Sequence, residues 1–321
     1  MSSDQSYTTE EIAKLLKISK LTVYDLIKKG KLPSYRVGKQ MRVDAADLEA
    51  YKRQAKGIAP SPSPSPSPAA SEEPPSARPE PRQASGIRPL VITGQDMSLD
   101  ILSKHLESRA TGFRPLRSFA GSLDSLISMY RGESDLVSTH LLDGDTGEYN
   151  LPYIKKILVG SSYVVVNLLS RQAGFYVRQG NPLGLQDWPD LAKPGLRLVN
   201  REVGSGARVL LDEQLRLNRI APSSLLGYDA IESNHLAVAG KVGLGEADVG
   251  IGIEKAAAIV GNVTFVPLIR ERYDLAMRKS PDNARWIEAV MDILKSDAYL
   301  SELRAIQGYD LSQTGRILLE T

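Results

Sequence analysis

The sequence predicts an α/β protein built in two folded parts with a proline-rich spacer between them. Three features predict this: strand-turn-helix units recurring after residue 87, a Ser-Pro repeat between residues 57 and 86, and two short helices followed by a hairpin pattern before residue 57. Recurring strand-turn-helix units imply largely parallel sheets covered by helices. With 321 residues, 42% apolar and 24% charged, the chain has the length for more than one domain and an ordinary globular composition.

In the first part (residues 1–56), Thr8 stands three residues before Glu11, the spacing of a capping box, and Ile12, Leu15 and Leu16 follow on one helical face. Ser19 caps a second helix. Its Val23, Leu26 and Ile27 repeat at helical spacing until Lys28-Lys29-Gly30 ends it, with positive charge at the C-terminal dipole and glycine just beyond. Leu32–Val37 and Met41–Val43 then flank Gly38-Lys39-Gln40, which reads as a β-hairpin wing carrying Arg36, Lys39 and Arg42. Asp44 caps a third helix holding Leu48 and Tyr51. This part carries twelve Lys and Arg against seven Asp and Glu, whereas the rest carries 28 against 31. A basic excess confined to one small module suits phosphate neutralisation, although a solvated basic face explains the same charge.

From Tyr7 to Arg53 the chain resembles the winged helix-turn-helix of the excisionase and MerR type, in the run Tyr7-Thr-Thr-Glu-Glu-Ile-Ala-Lys-Leu-Leu-Lys-Ile-Ser-Lys-Leu-Thr-Val-Tyr24 and its continuation to Gly38. The resemblance implies that the second helix enters the major groove. Ser19, Lys20, Thr22 and Tyr24 would then face bases or phosphates, and Lys28, Arg36, Lys39 and Arg42 would contact the DNA backbone.

The spacer, residues 57–86, holds nine of the nineteen prolines and cannot pack; it reads as semi-stiff polyproline. At about 3.1 Å per residue it would reach about 90 Å. Residues 87–321 open with Pro89–Thr93 stopping at Gly94, then a helical segment through Leu99, Leu102 and Leu106. The same order recurs as Leu116–Ala120, Gly121-Ser122 and Leu123–Tyr130, and again as Leu196–Val199, Gly204-Ser205-Gly206 and Val209–Leu215. Arg131–Val137 and Leu244–Gly250 echo one another as helix stop, acidic turn and strand start, which suggests two similar lobes. Tyr163–Leu169 with Gly174–Val177, and Phe265–Leu268 with Arg272–Leu275, read as strands crossing between them. The expected lobes are about 87–170 with 270–321, and about 171–269.

From about Leu90 to Ile317 the chain resembles the type II periplasmic-binding-protein-like domain of molybdate- and tungstate-responsive regulators and of some molybdopterin-biosynthesis enzymes. The motifs are Thr139–Asn150, Asn200–Asp212, Ser233–Ala239, Gly245–Gly252 and Glu271–Leu275. The resemblance implies a two-lobed ligand-sensing domain, with molybdate or tungstate as the first candidate ligand.

An oxyanion needs many N–H and O–H donors and few carboxylates. The strand ends offer Thr93, Gly94, Gly121, Ser122, Thr139, Ser205, Gly206 and Arg208, and the two glycine-serine helix starts facing one another would cage an anion. Each of these residues also serves as a tight turn or helix cap, and Arg208 can pair instead with Glu202 or Asp212. His140 and His235 fit structural roles better than donor roles, and Tyr228 and Tyr273 fit packing.

The chain has no cysteine and three histidines, so thiolate and zinc chemistry are poor prospects, and no cofactor or metal cation site is expected. Gly204-Ser-Gly-Ala-Arg208 lacks the P-loop ending, and Gly243–Asp248 lacks the third glycine of a dinucleotide fingerprint. No catalytic motif is visible, so no enzyme is expected. With no eighteen-residue apolar run and a polar start, a cytoplasmic protein without membrane contact is expected. Together these point to a one-component transcriptional regulator that binds double-stranded DNA as a homodimer and senses a small anion. An organic carboxylate clamped by Arg208, and a pterin-binding module of molybdenum-cofactor synthesis, are the alternatives.

Overall fold

The computed structural model describes residues 6–16, 20–28, 32–37, 40–45, 47–48, 51–52, 88–109 and 112–321. The spacer 57–86, Ser19 and Lys39 lie outside the described residues, as do the side chains of Lys28 and Arg36. The chain divides into two compact units, Met1–Arg78 and Pro79–Thr321.

The first unit comprises β1 (Ser6–Thr8), α1 (Thr9–Leu16), α2 (Lys20–Lys28), β2 (Tyr35–Val37) and β3 (Gln40–Asp44). The capping box forms: the Thr8 hydroxyl accepts from Glu11 N at 3.3 Å, and Thr8 N donates to the Glu11 carboxylate at 2.8 Å. β3 pairs antiparallel with β2, giving the expected wing, and also with β1, which the sequence did not suggest. Ile12, Val23, Leu32, Val43 and Leu48 make the core. Leu15, expected beside Ile12, is instead 51% exposed.

The second unit begins with β4 (Arg88–Thr93), α3 (Ser98–Arg109), β5 (Phe113–Ser118), α4 (Ser122–Tyr130), β6 (Leu136–Thr139) and α5 (Leu151–Ile157). A long strand, β7 (Tyr163–Arg178), crosses into β8 (Leu198–Arg201), α6 (Gly206–Leu217), β9 (Ile231–Glu232), α7 (His235–Gly243), β10 (Val249–Ile253) and α8 (Glu254–Val260). β11 (Val263–Arg278) returns, followed by α9 (Ala284–Leu294), α10 (Asp297–Arg304), β12 (Tyr309–Asp310) and β13 (Ile317–Glu320). One sheet runs β5-β4-β6-β11-β7-β10-β8-β9, with β12 and β13 also on β7. Among the described residues no helix is long and apolar enough to cross a membrane.

Two lobes follow from this order. Leu90, Leu99, Leu102 and Leu106 pack against Trp286, Val290 and Leu303 in one, and Leu198, Leu210, Leu211 and Val249 pack around Phe175 and Trp188 in the other. The echoed aspartates have equivalent roles. Asp135 accepts from Val91 N at 2.9 Å and from Arg88 at 2.8 Å; Asp248 accepts from Arg197 N at 3.0 Å and from the Arg197 guanidinium. Each fastens the start of its lobe's last parallel strand to the neighbouring one.

β7 and β11 are each one continuous strand of 16 residues, not the broken pieces suggested by the hydrophobic pattern. Arg171 and Gln172 interrupt that pattern yet stay in the ladder, because Glu271 and Arg270 lie opposite. β5 ends at Ser118 rather than Ala120, since its partner β4 stops at Thr93 and Gly94 N closes the ladder on Ser118 O. Gly174 sits where the long strands pass closest, opposite the irregularity between Pro267 and Ile269; a Cβ there would fall 2.0 Å from Val266 O. Gly174→Ala is therefore expected to destabilise this unit by about 1–3 kcal/mol, read as a lower urea midpoint at unchanged m.

Candidate functional site

The site is built where the long strands cross. Arg171, in the middle of β7, is 6% exposed. Its Nε donates to Glu271 on β11 at 2.5 Å, and its Nη1 donates to Asp96 from the loop after β4. The other Glu271 oxygen meets His140 Nδ1 at 3.0 Å, and Asp96 accepts from Ser98 N at 2.8 Å and the Tyr309 hydroxyl at 2.7 Å. The guanidinium also lies 4.7 Å from the Tyr273 ring centroid, and the Tyr273 hydroxyl shares a hydrogen bond with Ser138 at 2.9 Å. Burial alone would raise the Glu271 carboxyl, but His140 and Arg171 outweigh it and hold the group well below the usual carboxylate range. Burial, reinforced by Asp96, pushes the Tyr309 hydroxyl far up, so it remains a donor.

Above this network lies a cavity of about 450 Å³. Arg171, His140, Tyr273 and Tyr309 form its floor; Gln95, Asp96, Met97 and Phe119 come from one lobe, and Arg201, Ser233–Leu236, Lys255 and Ile259 from the other. Arg201 at the end of β8 is buried and bridges the lobes: it donates to Glu202 at 2.7 Å, to Gln95 Oε1 at 2.8 Å and to Ser233 O at 3.1 Å. Gln95 Nε2 returns a bond to Glu202 at 3.0 Å.

Among the described residues two polar groups of the cavity have no complementary partner. Lys255 has, among the described residues, no carboxylate within ion-pair distance; its amine lies against the Met97 sulfur and 5.8 Å from the Tyr309 ring centroid. His235 Nδ1 is buried without a hydrogen bond. Burial, then the nearby Arg201 and Arg171 charges, drives the His235 pKa well below 6.5, leaving a neutral imidazole at pH 7. Among the described residues no group of His, Asp and Glu is placed to hold a metal ion.

The eight ligand residues picked from the sequence do not line this cavity. The two glycine-serine turns do meet, but backbone to backbone: Leu123 N donates to Gly204 O at 2.9 Å, and a Cβ on Gly121 would fall 2.8 Å from that oxygen. Ser122 Oγ accepts from His140 N at 3.2 Å, and Gly206 abuts the His140 ring. Ser205 caps α6, accepting from Arg208 N at 3.3 Å and donating to Glu202 O at 2.8 Å. Thr93 bonds Ser134 at 2.6 Å, and Gly94, at φ +146°, passes so close to Ser138 that only glycine fits. Thr139 is fully buried with no partner for its hydroxyl. Arg208 pairs with Asp212 at 3.1 Å and stacks over Tyr228 at 4.0 Å, away from the cavity.

Sequence reasoning missed Arg171, Glu271, Asp96 and Lys255. Arg171 carried a signal, because a lone arginine between Val164–Leu169 and Phe175–Val177 needs a buried counter-charge. Lys255 carried none, since nothing local marks which lysine at a helix start faces a cleft.

In the first unit Lys20 opens α2 and pairs with Glu10 on α1, both exposed. Thr22 and Tyr24 are exposed on the same helix; Tyr24 is 43% accessible. Arg42 on β3 donates to Ser6 at 3.1 Å and is partly buried.

Residues 6–56 match the model of a helix-turn-helix domain and residues 103–295 that of a PBP superfamily domain. A helix-turn-helix module joined to a ligand-binding domain is the organisation of a DNA-binding regulator, and the chain belongs to the PBP superfamily, in the same family as the uncharacterized protein YvgK of Bacillus subtilis (strain 168). The two are 48% identical over 321 residues, with 100% of each chain covered. An uncharacterized protein encoded in the 5′ region of a ferredoxin 2Fe-2S gene of Clostridium pasteurianum is 45% identical over 112 residues, covering 35% of this chain and 99% of its own. A solved histidine kinase sensor domain with similarity to periplasmic binding proteins shares the fold at TM-score 0.51 and 12% identity, over 70% of this chain and 98% of that one.

Replacing Arg171 with Met strands two buried carboxylates and is expected to cost about 3–5 kcal/mol at pH 7. The Glu271 contribution is full above its ordinary pKa of 4.5 and is lost as the pH falls below it. Urea midpoints measured against pH are therefore expected to fall less steeply on acidification in Arg171→Met than in the wild type.

Proposed function

We propose that the chain is a one-component transcriptional regulator whose DNA affinity is set by a small anion bound in the cleft between the two lobes. The observation that carries this reading is the Lys255 amine, which lines the cavity and has no carboxylate partner among the described residues. Arg171 and Arg201 face Asp96, Glu271 and Glu202, three carboxylates for two guanidiniums, and Lys255 is the cation of the lining that among the described residues has no carboxylate of its own. A buried or half-buried cation of this kind is best satisfied by an anionic ligand.

DNA recognition falls to α2 and the wing, with Ser19, Lys20, Thr22 and Tyr24 assigned to bases or phosphates and Lys28, Arg36, Lys39 and Arg42 to the DNA backbone. A homodimer reading two half-sites suits this module. The ligand acts only through its different affinity for the forms that bind DNA well and poorly. Molybdate and tungstate are the oxyanions to test first because the sequence resemblance implies them; the glycine-serine turns, which meet backbone to backbone at Gly121 and Gly204, leave no gap for them.

Calorimetry of the full chain with molybdate, tungstate, sulfate and an organic-acid panel, paired with anisotropy on a labelled duplex from its own upstream region, tests the reading. An anion that binds and shifts DNA affinity is expected; no anion doing both overturns it. Lys20→Ala is expected to weaken duplex binding and to lower the slope of log K against log salt by about 0.9, the value of one phosphate contact. Anion affinity should stay unchanged in that variant.

A further inference from the structure

The lining of the cavity says more about its occupant than its charge does. Its volume, about 450 Å³, falls in the range of roughly 300–1,000 Å³ that encloses small organic ligands. A bare tetrahedral oxyanion needs a close shell of free donors. Here Arg171 and Arg201, the strongest donors near the floor, are already spent on carboxylates. The mouth, by contrast, is apolar on both sides: Phe119 is 67% and Met97 43% exposed on one lobe, Ile259 62% and Leu236 45% on the other. Large exposed apolar side chains gathered around one cavity mark a surface made to be covered.

We infer that the ligand is an organic acid with a flat or branched apolar body, its carboxylate on Lys255 and its body held between Phe119 of one lobe and Leu236 and Ile259 of the other. This rests on the anion-sensing reading above and narrows it. His235, neutral and unbonded at Nδ1, takes a hydroxyl, oxo or ring N–H group of the same molecule, with the tautomer set by that group. The body of the bound ligand then takes those four side chains out of water, which supplies its affinity.

The test is calorimetry on the full chain with phenylpyruvate, 4-hydroxybenzoate and 4-methyl-2-oxopentanoate, alongside acetate, molybdate, tungstate and sulfate. At least one of the first three is expected to bind and acetate is not, because it has no body to bury. Lys255→Met is expected to weaken that binding about ten- to a hundredfold. Lys255→Arg should restore most of it, with unchanged circular dichroism confirming that both variants fold. Ile259→Ser should also weaken the organic acid. Binding of molybdate or tungstate alone overturns this inference and leaves anion sensing standing. No binding by any probe, with DNA affinity unmoved, overturns both. Equal binding of the organic acid by wild type and Lys255→Met removes the anchor and overturns the inference.

Discussion

The second unit depends on a single buried cation. Arg171 reaches Asp96 from one lobe and Glu271 from the returning strand, and Tyr309 and His140 occupy the remaining oxygens of those carboxylates. Buried ion pairs are weak sources of net stability, because desolvation offsets most of the attraction. What they do here is select geometry: a shift of β11 by one residue would turn Glu271 to the opposite face and leave Arg171 unmatched. The two register irregularities of β11, at Pro267/Ile269 and Tyr273/Asp274, fall on either side of this pairing, so the strands bend where the charges meet. The floor sets two carboxylates, Asp96 and Glu271, around one guanidinium, with His140 on the second of them.

The lobes repeat a smaller device. Asp135 and Asp248 each follow a glycine-acidic turn and each accept from a backbone N–H and an arginine of the adjoining strand. The Asp248 carboxyl is held below its usual range by its hydrogen bond to Arg197. Equivalent aspartates at equivalent strand starts explain why two short segments about 113 residues apart read alike.

Much of the architecture was legible because it is written in local chemistry. The Thr8–Glu11 box, the Leu99, Leu102 and Leu106 stripe and the helix start at Ser205 each depend on residues within a few positions of one another, and each forms. The cavity depends on residues far apart in the chain, such as Asp96 with Tyr309 and Arg201 with Gln95, so periodicity carries no trace of it. The glycine-serine turns show the difference. Their presence was readable, and so was their convergence, but the distance between them was not: Gly121 and Gly204 are glycines because two backbones touch there. Likewise, Arg208 took its carboxylate locally, from Asp212 four residues on, while stacking over the distant Tyr228.

β13 lies along Val164–Val166 of β7, and Thr321 N donates to Tyr163 O at 3.0 Å, so the spine shared by both lobes receives its final ladder from residues 317–321. Such long-range pairing forms late. Until residues 317–321 dock, the Val164–Val166 edge of the spine stands open, and an open strand edge is a template for pairing with another chain.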